Sequence, residues 1–227
     1  MARPLRPASP IHLHLFFRLP WWSNYSTGLY HKSIFTRWSN LDLHIPFCYY
    51  RHFCNHAPIL KSIRFRARGL VYYGMMQPNF QLTCPRLERA CLSTFPMDGA
   101  NFQWDNLTHL TLYHMSIFRC LLILRETPRL VFCKVSDSSS VLGDPRIKEP
   151  FLTPLISLQL LIPSYAEDFL KNFIAPHLEE FSLPNYYNPS KMEVITSFLR
   201  RSACSLRSFS IMLSIFAPYF ENLMIFC

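Results

Sequence analysis

The sequence predicts an α/β solenoid, with a curved parallel sheet on its concave side and helices and irregular returns on its convex side. Three observations carry that prediction. A one-four-six rhythm of apolar residues recurs in eight places, and the copies follow one another at near-regular steps. Proline stands two residues ahead of the first apolar position in four of them, at Pro58, Pro85, Pro128 and Pro176.

The copies are Trp38/Leu41/Leu43, Leu60/Ile63/Phe65, Leu87/Ala90/Leu92, Leu107/Leu110/Leu112, Leu130/Cys133/Val135, Leu155/Leu158/Leu160, Leu178/Phe181/Leu183 and Leu206/Phe209/Ile211. Their first positions are 22, 27, 20, 23, 25, 23 and 28 residues apart, steps that centre on the roughly 20–29-residue range of leucine-rich repeats. An apolar chain supplies a few such matches by chance, but not eight in order. The expected fold is therefore a leucine-rich-repeat solenoid of about eight irregular repeats over residues 38–227. An irregular N-terminal cap or disordered lead, Pro- and aromatic-rich and containing Trp21 and Trp22, precedes it over residues 1–37.

Taken in order, Leu41, Leu43 and Ile45 alternate with Asp42 and His44 as a half-buried strand should. Pro46 ends that strand, and residues 47–56 turn back towards Pro58 as a short helical return. The second copy is followed by a longer return through Tyr72, Tyr73 and Phe80. The third copy is the least regular, with only Ala90 in its middle slot. After the strand around Leu110, Ser116 is placed to cap a helix with Ile117, Leu121 and Leu124 on one face, stopped by Thr127 and Pro128. Residues 136–154 are polar, with Asp137, Gly143, Asp144 and Pro145, and read as an exposed loop. Ser164 with Glu167, and Ser190 with Glu193, form two S-x-x-E capping boxes. Phe169, Leu170 and Phe173 follow the first at helical spacing, and Met192, Ile195, Phe198 and Leu199 follow the second. After Ile211, residues 217–220 begin another helical return. Either that return is the cap or the chain is a truncated product.

Composition bounds the function. Half of the 227 residues are apolar and only 16% are charged, which suits a packed core and not a disordered chain. The longest uncharged apolar stretch, Ser208 to Phe220, is 13 residues, too short to span a bilayer. Eight cysteines are spread evenly and Cys133 occupies a core slot, so free thiols in a reducing compartment, cytoplasmic or nuclear, are expected. The apolar run from Ile11 to Phe17 is interrupted by His12 and His14 and closed by Arg18, without a cleavage site, unlike a signal peptide.

No catalytic motif is present: five glycines leave no phosphate loop, dinucleotide fingerprint or nucleophile elbow. The chain is not read as an enzyme, and no cofactor is expected. His44, Cys48, His52, Cys54 and His56 cluster locally, but their spacing lacks the close cysteine pair of structural zinc. Turn histidines and buried thiols account for them, and no metal is assigned.

Strand alternation directs the residues between the apolar slots away from the core. These are Asp42 and His44, Arg64 and Arg66, Arg89 and Cys91, His109, Thr111 and Tyr113, Phe132 and Lys134, then Gln159, Glu180 and Ser182. The candidate concave-face binding residues are Arg64, Arg66, Arg89, His109, Thr111, Tyr113, Phe132 and Lys134. Formal charge is +9, and residues 1–91 hold twelve Lys and Arg against Asp42 and Glu88. Arg64, Arg66 and Arg89 are expected on adjacent strands about 5 Å apart, a spacing suited to an acidic or phosphorylated segment of a protein partner. Tyr113 and Phe132 would supply apolar anchors. The plainer account is that these are ordinary solvated strand positions.

The proline-led repeat, the aliphatic helices and the stretches at 104–112, 120–130 and 175–184 together resemble the leucine-rich-repeat region of fungal, especially basidiomycete, F-box proteins. The resemblance covers about residues 38–216 and is specific to repeat style. It implies a substrate receptor whose repeats hold a target while an F-box docks the adaptor of a cullin-type ubiquitin ligase. The F-box itself is not evident in residues 1–37, which lack its length and its Leu-Pro opening, so docking of a cullin-ligase adaptor does not carry over. The expected function is a non-enzymatic protein-recognition scaffold. The alternatives are a basic polyanion- or RNA-binding protein, for which no RNA-recognition motif is present, and a truncated product without stable function.

Overall fold

A computed structural model describes residues 11–16, 36–46, 56–68, 82–93, 102–136, 149–162, 166–183 and 189–211. The expected returns over 47–55 and 69–81, most of the 136–154 loop, Ser164, and the stretch 217–220 lie outside the described residues.

The chain forms a parallel-stranded solenoid with few helices. Its strands are β1 (Ile11–Phe16), β2 (Trp38–Pro46), β3 (Ser62–Arg68), β4 (Arg89–Ser93), β5 (His109–Tyr113), β6 (Phe132–Ser136), β7 (Phe151–Leu152), β8 (Ser157–Leu161), β9 (Phe173–Ile174), β10 (Glu180–Leu183) and β11 (Ser208–Ile211). Nine of them build one sheet in chain order, β1-β2-β3-β4-β5-β6-β8-β10-β11, and every pairing is parallel. The helices are α1 (Ile117–Arg125), α2 (Ala166–Leu170) and α3 (Pro189–Ser202).

One register runs through the sheet. Leu41, Ile63, Ala90, Leu110, Cys133, Leu158, Phe181 and Phe209 are successive partners. Leu43, Phe65, Leu92, Leu112, Val135 and Leu160 form a second apolar column beside them. All but Phe209 are buried, and α1 contributes Ile117, Cys120, Leu121, Ile123 and Leu124 to the same core. A single strand and return cannot enclose these side chains, whereas stacking does, at roughly 1.5–3 kcal/mol per large side chain removed from water.

The prolines have a common task. Leu60, Leu87, Leu107, Leu130 and Leu178 each donate their backbone N–H to the carbonyl three residues back, on Ala57, Cys84, Trp104, Thr127 and Ala175. Pro58, Pro85, Pro128 and Pro176 thus occupy the second position of a tight turn, where a fixed φ is already suitable. Asp105 takes that place in the fifth. After each turn the chain joins its predecessor: the N–H groups of Glu88 and Arg89 both reach Lys61 O, those of Thr108 and His109 reach Glu88 O, and those of Val131 and Phe132 reach Thr108 O. The amide of Asn106 donates to Pro85 O at 2.8 Å and accepts from Arg129 at 3.0 Å, tying three consecutive turns together.

Several expectations need correction. The stretch 1–37 was expected to be irregular, yet Ile11–Phe16 pairs in parallel with β2; the alternation of Ile11, Leu13 and Leu15 with His12 and His14 is a strand signal. The polar stretch before Pro154 holds β7, which pairs with β9 as a separate small sheet. Phe173 is not on the helix after Ser164: α2 ends at Leu170, and Phe173 opens β9. It remains buried, with its ring 5.3 Å from those of both Phe169 and Phe198. Ser190 lies one residue inside α3, because Pro189, with no N–H to lose, suits the first helical position. Met192 is exposed, whereas Ile195 and Phe198 are buried. Ser116 does cap α1, accepting from Arg119 N at 3.4 Å.

Candidate functional site

With the apolar columns and helices on one side, the sheet presents three columns on its open side. The first runs Asn40, Ser62, Arg89, His109, Phe132, Ser157, Glu180, Ser208. The second runs Asp42, Arg64, Cys91, Thr111, Lys134, Gln159, Ser182, Ser210, and the third His44, Arg66, Ser93, Tyr113, Ser136, Leu161. All eight candidate residues fall in these columns. Their burial alternates with the core positions, as in the exposed, buried, half-buried, buried, half-buried order of His109 to Tyr113.

The three arginines lie on adjacent strands, as expected, with Arg89 diagonal to Arg64. Arg64 and Arg66 share β3, and Arg89 on β4 stands opposite Ser62, not opposite either of them. This is the register of the aligned copies, and β4 begins it at Arg89, directly after the Glu88 and Arg89 amides have closed on Lys61 O. Arg64 is already engaged, with Nη1 at 3.3 Å from Asp42 Oδ2. On its other side it stands opposite Cys91 of β4. Burial pushes the Cys91 thiol above its ordinary range, and the positive charges of Arg64 and Arg66 partly oppose the shift. Among the described residues, neither Arg66 nor Arg89 forms an ion pair.

An aromatic pair lies at the centre of the first column. The rings of His109 and Phe132 stack at 5.9 Å with 30° between planes, and Thr108 Oγ1 fixes His109 Nδ1 at 2.9 Å. Beside Phe132, at the entries to β6 and β8, Val131 and Ile156 are 36% and 37% exposed. Sequence reading missed these two because they precede the alternating part of each strand. Their signal was an apolar residue directly after Leu130 and Leu155, where other repeats carry Lys61, Glu88 or Arg207.

Comparison with protein-family models, with curated proteins and with solved structures gives no match.

On the helical side, a cleft of about 390 Å³ separates α2 from α3. Its cations have structural partners: Lys171 pairs with Glu167, and Arg201 donates to Leu170 O at 2.7 Å, satisfying a carbonyl at the end of α2. No group of three or more His, Cys, Asp or Glu able to hold a metal occurs among the described residues. Cys48, His52 and Cys54 of the sequence cluster lie outside them. Among the described residues no helix is long and apolar enough to cross a membrane.

Proposed function

We propose that this chain is a non-enzymatic leucine-rich-repeat scaffold of about eight repeats that recognises a protein partner on the open face of its sheet. The observation that carries the reading is the division of labour within each strand. Apolar residues of one register close the core, while the alternate positions vary from repeat to repeat and combine Arg66, Arg89, Lys134, Tyr113 and the His109–Phe132 stack. Large aromatic and arginine side chains on a rigid frame are the usual anchors of protein interfaces. Similarity of repeat style to F-box substrate receptors extends the proposal to a target-holding role in a cytoplasmic or nuclear ubiquitin ligase, in which an adaptor would dock elsewhere. The polyanion alternative is less well supported, because Arg64 is neutralised by Asp42 and Glu180 stands on the same face.

The test is quantitative affinity capture from cells expressing the chain, with three variants beside the wild type. Partners of the open face should be lost with Arg64→Glu/Arg66→Glu and with Tyr113→Ala/Phe132→Ala, and kept with Lys171→Glu on the helical side. Co-purification of a cullin adaptor would support the ligase role. Identical capture by all four proteins would refute recognition by this face.

A further inference from the structure

The first open-face column has a charge order that the whole face does not share. Arg89 stands at one end and Glu180 at the other, with His109, Phe132 and Ser157 between them. Beyond each charge the next partner is neutral, Ser62 and Ser208. Arg89 and Glu180 are both exposed, and neither forms an ion pair among the described residues. Phe132 is two strands from each.

Strand spacing turns this order into a ruler. Adjacent strands lie about 4.8 Å apart, so Arg89 and Glu180 are separated by roughly 19 Å across four steps, and Phe132 lies about 10 Å from each. A polyproline II segment advances about 3.1 Å per residue with three residues per turn, so side chains three apart face the same way. About six residues therefore span the two charges, and about three reach the centre from either end.

We propose that the open face binds an extended, polyproline II segment of its partner laid across the strands, with an acidic side chain at Arg89, an apolar one on Phe132, and a basic one at Glu180. The pattern is acidic-x-x-apolar-x-x-basic or its reverse. This rests on the recognition reading above and narrows its ligand. A wholly acidic segment fits less well, because its far end would meet Glu180 while Arg64 is held by Asp42. Lys134, beside Phe132 on the same strand, favours a further acidic residue near the centre of the segment.

The experiment is selection of a phage-displayed random heptapeptide library on the immobilised full chain. Fluorescence anisotropy then follows with a labelled heptapeptide bearing Glu first, Phe fourth and Lys seventh, with Ser and Thr between. Enriched sequences should carry opposite charges six positions apart around an apolar residue. Arg89→Glu and Glu180→Lys should each weaken the labelled peptide about three- to tenfold. The double variant should return to within about twofold, since the peptide can bind turned end for end about Phe132. Phe132→Ala should weaken it in every background. Unchanged circular dichroism of each variant guards against misfolding. Enrichment of purely acidic peptides that Glu180→Lys does not weaken would overturn the proposal while leaving recognition by the face intact. No enrichment, or binding that Arg89→Glu, Glu180→Lys and Phe132→Ala all leave unchanged, would overturn it and count against the recognition face as well.

Discussion

Arg64 on β3 reaches across one strand to Asp42 on β2, with 3.3 Å between Nη1 and Oδ2, and the carboxylate side chain keeps only 12% of its exposure. The pair holds the first basic residue of the open face against the sheet. Arg64→Glu would set two carboxylates opposite one another, and cross-strand like charges destabilise by about 0.2–1 kcal/mol. Because the arginine side chain is 49% exposed, the expected loss lies within that small range and shrinks as salt is added. A double-mutant cycle with Asp42→Asn, followed by urea melts at low and high salt, checks it; a coupling independent of salt would contradict the assignment.

The turn ladder makes a stabilising prediction. Leu107 N donates to Trp104 O as in the four proline-led turns, but Asp105 stands where those turns carry proline. No hydrogen bond of the Asp105 N–H is present among the described backbone contacts. Asp105→Pro should therefore raise stability by about 0.4–1 kcal/mol by restricting the unfolded chain. A lowered urea midpoint would show that this turn differs from its neighbours.

Alkaline pH should weaken the fold through its buried thiols. Burial pushes Cys84 from an ordinary value of 9.0 up to about 12 and raises Cys133 as well. A raised thiol pKa means that the folded state keeps a proton which the unfolded state releases. This contribution to stability is complete below pH 9 and is lost between pH 9 and about 12. In urea melts across that window, Cys84→Ala should show a shallower fall than the wild type. Equal slopes would remove Cys84 as a source.

The strand positions were legible because leucine, isoleucine and phenylalanine at one, four and six leave little choice of face once neighbours stack. The proline-led turns were legible for the same local reason. What escaped depended on tertiary context. Phe173 keeps helical spacing from Phe169, yet the chain leaves α2 after Leu170, and Arg201 and Ser202 of α3 then bond Leu170 O and Ala175 N. Phe209 occupies a core slot but is 43% exposed; β11 is the last strand of the sheet among the described residues. On the open face the register was legible as well: aligning Leu60/Ile63/Phe65 with Leu87/Ala90/Leu92 sets Arg89 opposite Ser62, and the Lys61 carbonyl closes that pairing. Val131 and Ile156 escaped because they precede the alternating part of their strands.

Everything proposed for the open face depends on one register dividing each strand between core and ligand. Leu110 has no exposed surface, and its neighbour Thr111 lies half-exposed between Cys91 and Lys134. The most direct measurement is the thermal melt of Leu110→Asp beside Thr111→Asp. The first should lose several kcal/mol, or its cooperative transition altogether, by burying an unpaired carboxylate. The second should stay within about 0.5 kcal/mol of the wild type. Similar melting temperatures for the two would contradict the register and the binding face built on it.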